Sequence, residues 1–155
     1  MAELFDLHRG DFHAIDRLDP GPYPTVSRIG DDNGFVGFFD RPDNATVWPP
    51  KTITVSSVTG DAFVQPSPFI ATDNVVLCTP KPEHGELSSA CLFFLTFCMN
   101  QVKWRYSYGR QCYKTKLATS PIALPVTRDG EVDWAYADGV VRGARYWPLV
   151  EAVMG

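Results

Sequence analysis

The chain has 155 residues, 45% of them apolar and 21% charged, and a formal net charge of -4. That length bounds it most simply to one domain, long enough to bury a real core without disulfide or metal staples. Its longest apolar run, residues 90–99 ("ACLFFLTFCM"), is about half of the roughly 20 residues a bilayer span needs and lies far from the N-terminus, which excludes a spanning helix or signal peptide there and leads us to expect a cytoplasmic protein.

Thirteen prolines and twelve glycines favour short strands and structured loops. The first 50 residues carry nine Asp and Glu against four Arg, the composition of a solvated, loop-rich face. Residues 24–29 ("PTVSRI") and 35–39 ("FVGFF") are β-branched or aromatic and flank "GDDNG", where Asn33 and Gly34 both tolerate positive φ and predict a hairpin turn. Residues 51–57 ("KTITVSS") alternate apolar and polar as a half-buried strand does, and after Thr59 and Gly60 residues 61–65 ("DAFVQ") read as its hairpin partner. Residues 74–78 ("NVVLC") form a short, fully apolar strand candidate. Ser88 or Ser89 can cap a helix running to about Lys103, apolar nearly all round and therefore buried, with Phe94 in the core. Residues 121–126 ("PIALPV") are extended, with prolines that suggest an edge, and "DGEVDWAYADGVV" is a turn followed by a weakly helical tail. The pattern predicts an α+β fold: a single domain, 1–155, with a twisted mixed or antiparallel sheet of short strands on a central buried helix. Its core spans about 4–136, with a short tail at 137–155.

Catalytic signals are weak. Cys78, Cys91, Cys98 and Cys112 match no zinc or redox spacing, and the seven-residue separation of Cys91 and Cys98 within an apolar run reads as buried thiols acting as small hydrophobes. His8, His13 and His84 are scattered, and none has a second metal ligand at helical spacing. The Cys and His partners of a hydrolase meet only in the fold, so spacing does not decide that reading, but no motif points to it. No glycine-rich cofactor loop with an acidic partner is present, and no metal or cofactor is expected.

One tract stands apart. Between Glu86 and Asp129 there is no acidic residue, while six of the 14 Lys and Arg fall there, several within residues 104–117 ("WRYSYGRQCYKTKL"). Lys103 and Arg105 can serve the C-terminal dipole of the preceding helix. That account stops within a turn and leaves Arg110, Lys114 and Lys116, with Tyr106, Tyr108 and Tyr113 among them. Gly109 marks a positive φ or a close backbone approach. Arg and Lys on such a loop neutralise phosphates, and Arg can also pair with guanine in the major groove; a solvated basic loop is the plainer alternative.

Several segments, in order, resemble the target-recognition domain of type I restriction–modification specificity subunits and the related domains of fused restriction-methyltransferases. They are "FDLHRGD", "DDNGFVGFF", "WPPKTITVSS", "GDAFVQPSPFIATDNVVLCTP", "WRYSYGRQCYKTKL", "IALPV" and "DGEVDWAY", together covering most of residues 4–136. The resemblance implies a twisted α+β module that reads one half of a double-stranded DNA target. A methyltransferase, and in some systems a nuclease, would be held in separate subunits, with no catalytic site in this chain. Consistent with that division, no "NPPY"-like methyltransferase motif appears; "GPYPTV" at residues 21–26 lacks the polar residue before the prolines.

Carried onto this chain, the resemblance and the tract select Arg105, Tyr106, Ser107, Tyr108, Gly109, Arg110, Lys114 and Lys116 as DNA-facing. Arg110 is the expected base contact, and Lys114 and Lys116 the expected phosphate contacts. Asn33 and Gln65, near the predicted turns, are secondary candidates because amides pair bidentately with adenine. The full subunits carry two such domains joined by long helices, whereas about twenty residues follow Trp134 here. The chain is therefore expected to be a half-size subunit, an excised domain or a repurposed relative, with pairing of two copies one way to read a whole site. The competing reading is an interaction or regulatory protein that keeps the fold without binding DNA.

Overall fold

The computed structural model describes residues 1–154. Seven strands and four helices follow one another: β1 (Phe5–Arg9), β2 (Pro20–Val26), β3 (Phe35–Phe39), β4 (Ile53–Ser56), β5 (Ala62–Val64), β6 (Ile70–Ala71), β7 (Val75–Pro80), α1 (Ser89–Gln101), α2 (Lys114–Thr119), α3 (Trp134–Arg142) and α4 (Trp147–Met154). The expected α+β class is what the chain adopts, but the single expected sheet is two. One is four-stranded and wholly antiparallel, in the order β1-β7-β4-β5. The other, β3-β2-β6, is mixed, with β2 antiparallel to β3 and parallel to β6.

β7 explains why there are two sheets. Its side chains alternate between two cores: Val76 and Cys78 join the cluster under α1, while Val75 and Leu77 join Val26, Phe69 and Ala71 of the second sheet. An apolar residue at every position of a strand means burial on both faces. β4 follows the same plan with polar residues. Ile53 and Val55 face α1, and the intervening Thr54 and Ser56 are also buried, so the half-exposed strand expected from the alternation is buried on both sides. The polar face is tolerable because it is satisfied: Gln65 Nε2 donates to Thr54 Oγ1 at 2.8 Å, and Ser56 Oγ donates to the Arg28 carbonyl at 2.8 Å.

The expected Asn33–Gly34 turn joins β2 to β3, with Asp32, Asn33 and Gly34 all at positive φ. The strand expected at residues 24–29 instead ends at Val26 and begins at Pro20. Its three prolines lack donors, and β6, two residues long, pairs with β2 only at Thr25 and Val26, beyond the last of them. The β4–β5 hairpin forms where expected, closed by Gly60 at φ 77°. β1, β6 and α2 carry no strong periodic signal and were not anticipated. The expected extended segment at 121–126 makes only an isolated bridge from Val126 to Val132.

α1 begins where Ser88 caps it, its Oγ accepting from the Cys91 amide at 3.1 Å. Ala90, Leu92 and Leu95 are its deepest residues, Phe93 and Phe94 are half-buried and Phe97 is 60% exposed, so the helix is not buried all round. Past residue 136 the chain does not fall away from the body: Ala137, Trp147 and Met154 are buried, and Ala137 and Met154 join the main core. All four cysteines are buried and free. Burial pushes the Cys78 thiol far up and that of Cys112 up to about 11, leaving both as packed, protonated groups.

Truncation along α1 should follow this ranking. Leu95→Ala is expected to cost about 2–5 kcal/mol, and Phe97→Ala to stay within about 0.5 kcal/mol of the parent. Urea denaturation monitored by circular dichroism checks both, and equal losses would contradict the assigned burial.

Candidate nucleic-acid interface

The basic tract folds as three short pieces. Lys103–Arg105 is a single 3-10 turn continuing from α1. Ser107 and Arg110 then exchange backbone hydrogen bonds of 3.3 and 2.8 Å, closing a two-residue turn with Tyr108 at its tip, 81% exposed. α2 follows, and Lys114, its first residue, is a cation at the helix end whose dipole disfavours it, so its place there does not serve helix stability. Gly109 has neither a positive φ nor a neighbour that a Cβ would meet, which corrects the reason expected for a glycine there.

The predicted residues separate into two groups. Ser107, Tyr108, Gly109, Arg110, Lys114 and Lys116 are exposed, together with Trp104 and Tyr113. Among the described residues no carboxylate lies within ion-pairing distance of Arg110, Lys114 or Lys116. Lys116 stands over the Tyr106 ring, 5.9 Å from its centroid. Arg105 is half-buried, donating to the Pro121 carbonyl at 3.1 Å and lying over Trp104. Lys103 is committed elsewhere, to Asp61 of the β4–β5 turn.

The second group is internal. Tyr106 is 7% exposed, packs against Gly60, where a Cβ would come within 2.4 Å of its ring, and bonds through its hydroxyl to Ser120. Its burial raises the phenol pKa. Tyr106 is thus the pin holding the tract to the sheet, and its ring is not on the surface. Asn33 and Gln65 satisfy each other: Asn33 Nδ2 donates to Gln65 Oε1 at 3.1 Å and to the Val64 carbonyl at 3.2 Å, while Gln65 Nε2 donates to the Asn33 carbonyl at 3.0 Å. With Gln65 only 4% exposed, these amides tie the β2–β3 turn to β5 and are not free to read a base.

Three residues of the surface escaped the sequence reading: Arg9, His13 and Arg28. The end of the four-stranded sheet brings them in. The Cys112 amide donates to the Ser57 carbonyl at 2.6 Å and the Ser57 amide to the Asn74 carbonyl at 2.9 Å, so the tract, the β4–β5 turn and the β6–β7 turn meet at the end of β1. A cleft of about 230 Å³ opens there between Arg9 and Asp73 on one side and Tyr113, Lys114 and Thr115 on the other. The buried Ser57 Oγ, of a residue also lining it, has no hydrogen-bond partner among the described residues. A second cleft, of about 340 Å³, lies beside the same β6–β7 turn and is lined by His13, Ser27, Arg28, Thr72 and Asn74 among others. Gly10 permits the approach, since a Cβ there would sit 2.0 Å from the Thr72 carbonyl oxygen. The only signal that could have found Arg9 is its place just before that glycine, at the end of an unremarkable strand.

The arrangement offers cations, exposed aromatic faces and hydroxyls. Among the described residues no group of three or more His, Cys, Asp or Glu is placed to hold a metal ion, and no helix is long and apolar enough to cross a membrane.

The model of the type I restriction modification DNA specificity domain matches residues 1–142. The fold is shared with the HsdS subunit from Thermoanaerobacter tengcongensis, at 14% identity and a TM-score of 0.65, over 98% of this chain and 37% of that one. It is also shared with the S subunit of the type I restriction-modification system from M. genitalium, at 17% identity and a TM-score of 0.52, over 98% of this chain and 38% of that one. This chain therefore spans little more than a third of either subunit, and at such identities the likeness is one of fold. Comparison with curated proteins gives no match.

The internal role of Gln65 has a measurable consequence. Gln65→Ala should lower stability by about 1–3 kcal/mol, the cost of leaving buried partners unpaired, while leaving any nucleic-acid affinity of the folded protein unchanged. A urea titration paired with a binding titration reads both, and a stable variant with lost affinity would move Gln65 back to the surface role.

Proposed function

We propose that this chain, which belongs to the type I restriction modification DNA specificity domain family, recognises a short sequence in double-stranded DNA and directs a separate methyltransferase, and in a restriction system a nuclease, to it. In this reading it works in the cytoplasm and has no catalytic site of its own. It covers one part of a target, the remainder falling to a second copy or a further domain. The observation that carries the reading is the gathering of unpaired cations and exposed aromatic rings at one end of the sheet. Arg110, Lys114 and Lys116 stand in the tract with Trp104, Tyr108 and Tyr113; the fold brings Arg9, paired with Asp73, to the cleft lined by Tyr113 and Lys114, and Arg28 to the neighbouring cleft. Cations without carboxylate partners are free to displace the counterions of DNA phosphates.

Within that surface we assign Arg110 to a base edge and Lys114 and Lys116 to phosphates. The turn that ends in Arg110 projects beside an exposed Tyr108, while the two lysines lie along α2 behind it. Association with a protein partner has a second surface available. Phe97, Val140, Leu149 and Val153 of α1, α3 and α4 expose between 47% and 71% of their area on the helical layer. The same helical surface is the observation that favours the competing reading, an interaction protein that has kept the fold without DNA binding.

Salt-dependent titrations on selected and scrambled duplexes separate the two. Arg110→Ala should relax discrimination at one position by about 1–3 kcal/mol. Lys114→Ala and Lys116→Ala should weaken binding to every sequence and reduce the salt slope by about one each. If the triple variant keeps the affinity and salt slope of the parent, the tract is a solvated loop and the interaction-protein reading prevails.

A further inference from the structure

We infer that Arg9 is a second specificity-determining residue of this chain, held by Asp73 so that it reads a guanine in the major groove. The inference rests on the DNA reading above and adds to it a residue, a base and a positioning partner.

An arginine guanidinium presents two hydrogen-bonding edges, a side edge formed by Nε and one Nη and an end edge formed by the two Nη groups. Asp73 occupies the whole side edge of Arg9. Nε donates to the Asp73 main-chain carbonyl at 2.7 Å, and Nη2 donates to the Asp73 carboxylate Oδ2 at 2.9 Å. Among the described residues the end edge makes no hydrogen bond, on a side chain that is 64% exposed at the rim of the cleft. Two parallel N–H groups in that geometry match the O6 and N7 acceptors of guanine, the pairing by which arginine reads this base.

The clamp itself is held in place. Asp73 is 19% exposed in its side chain, and its amide donates to the Phe12 carbonyl at 2.7 Å. His13 also meets Oδ2, at 3.0 Å; a carboxylate only accepts, so the imidazole donates from Nδ1. Arg9 thus projects from the end of one strand and is gripped by the turn that opens its neighbour, so few of its rotamers remain to be frozen on binding. Arg110 and Arg28 have no such clamp among the described residues. Arg142 is paired with two carboxylates, but within α3 and α4, on the helical layer. Across the cleft from Arg9, Lys114 and Tyr113 are placed to follow the adjoining strand backbone while Arg9 points at the base.

The test is binding selection from random duplex DNA with the full chain, alone and with a methyltransferase partner. Wild type, Arg9→Ala, Asp73→Asn and Arg110→Ala are run in parallel. Wild type should enrich a site containing a guanine for which Arg9→Ala abolishes the preference, roughly ten- to a hundredfold, at that position. Asp73→Asn, which keeps the size of the side chain and weakens the clamp, should lose part of the same preference. Arg110→Ala should act at a different base. Replacing the guanine by 7-deazaguanine, which removes N7, should weaken wild type and leave Arg9→Ala no worse, a comparison independent of how the Asp73 variant folds. A wild-type protein that enriches a site whose every preference survives in Arg9→Ala would overturn the inference and leave DNA recognition standing. A wild-type protein that enriches nothing in either setting would overturn DNA recognition and this inference with it.

Discussion

β7 is enclosed on all four sides, and the rest of the molecule is arranged by that constraint. Its edges are hydrogen-bonded to β1 and β4, one face packs under α1 and the other against the second sheet. A strand enclosed in this way has no freedom to shift register, because a slip of one residue would exchange the contents of two filled cores. The turn that opens it, at Asp73 and Asn74, is therefore fixed to a strand enclosed on both edges and both faces. Arg9, in the neighbouring strand, is located relative to it by the β1–β7 ladder and by its own bonds to Asp73, and Ser57, after β4, by its amide bond to the Asn74 carbonyl. Groups held by rigid elements are positioned more accurately than groups on free loops, which suits a surface that must discriminate between bases.

The basic tract depends on the same frame through Tyr106. Its buried ring, in a tract whose residues are mostly exposed, is wedged on Gly60 and anchored to Ser120. After it the chain makes the Tyr108 turn and then enters α2, whose Leu117 is buried in the main core. Two internal pins with exposed residues between them give a surface that keeps its shape while presenting cations to solvent. The net charge of -4 is thus an average over a molecule whose exposed cations at this end are largely unpaired. Short-range contacts at the sheet end, and not the overall field, would govern binding there, since screening limits the reach of the remaining charge to about 8 Å at physiological salt.

The polar contents of the second interface show a related economy. Thr54, Ser56 and Gln65 are buried where hydrophobic residues would ordinarily sit, and each finds a partner in the opposing turn or strand. A satisfied polar network rewards one relative placement of the two sheets and penalises others, which a greasy interface would do less strongly. Asn33 and Gln65 are the outer members of that network. Their chemistry, suited in principle to adenine, is used to fix the β2–β3 turn against β5.

What the sequence determined by itself is what is local or written in order along the chain. The Asn33–Gly34 turn, the β4–β5 hairpin with Gly60 and the Ser88 cap of α1 depend on residues a few positions apart, and each appears where its residue types require. The carboxylate-free stretch between Glu86 and Asp129 and the ordered segments that resemble a recognition domain were equally legible. Tertiary structure alone decided which faces are buried. Alternation in residues 51–57 gives the period of a strand, but solvent exposure of its polar face depends on whether a second sheet lies over it. The same limit misplaced Tyr106 and Gln65 on the surface, since a tyrosine among basic residues looks the same in sequence whether its ring is buried or free. It also hid Arg9, which lies 64 residues from Asp73 and about a hundred from the basic tract. Only strand pairing, a long-range choice set by the two cores on either side of β7, brings these residues to one edge.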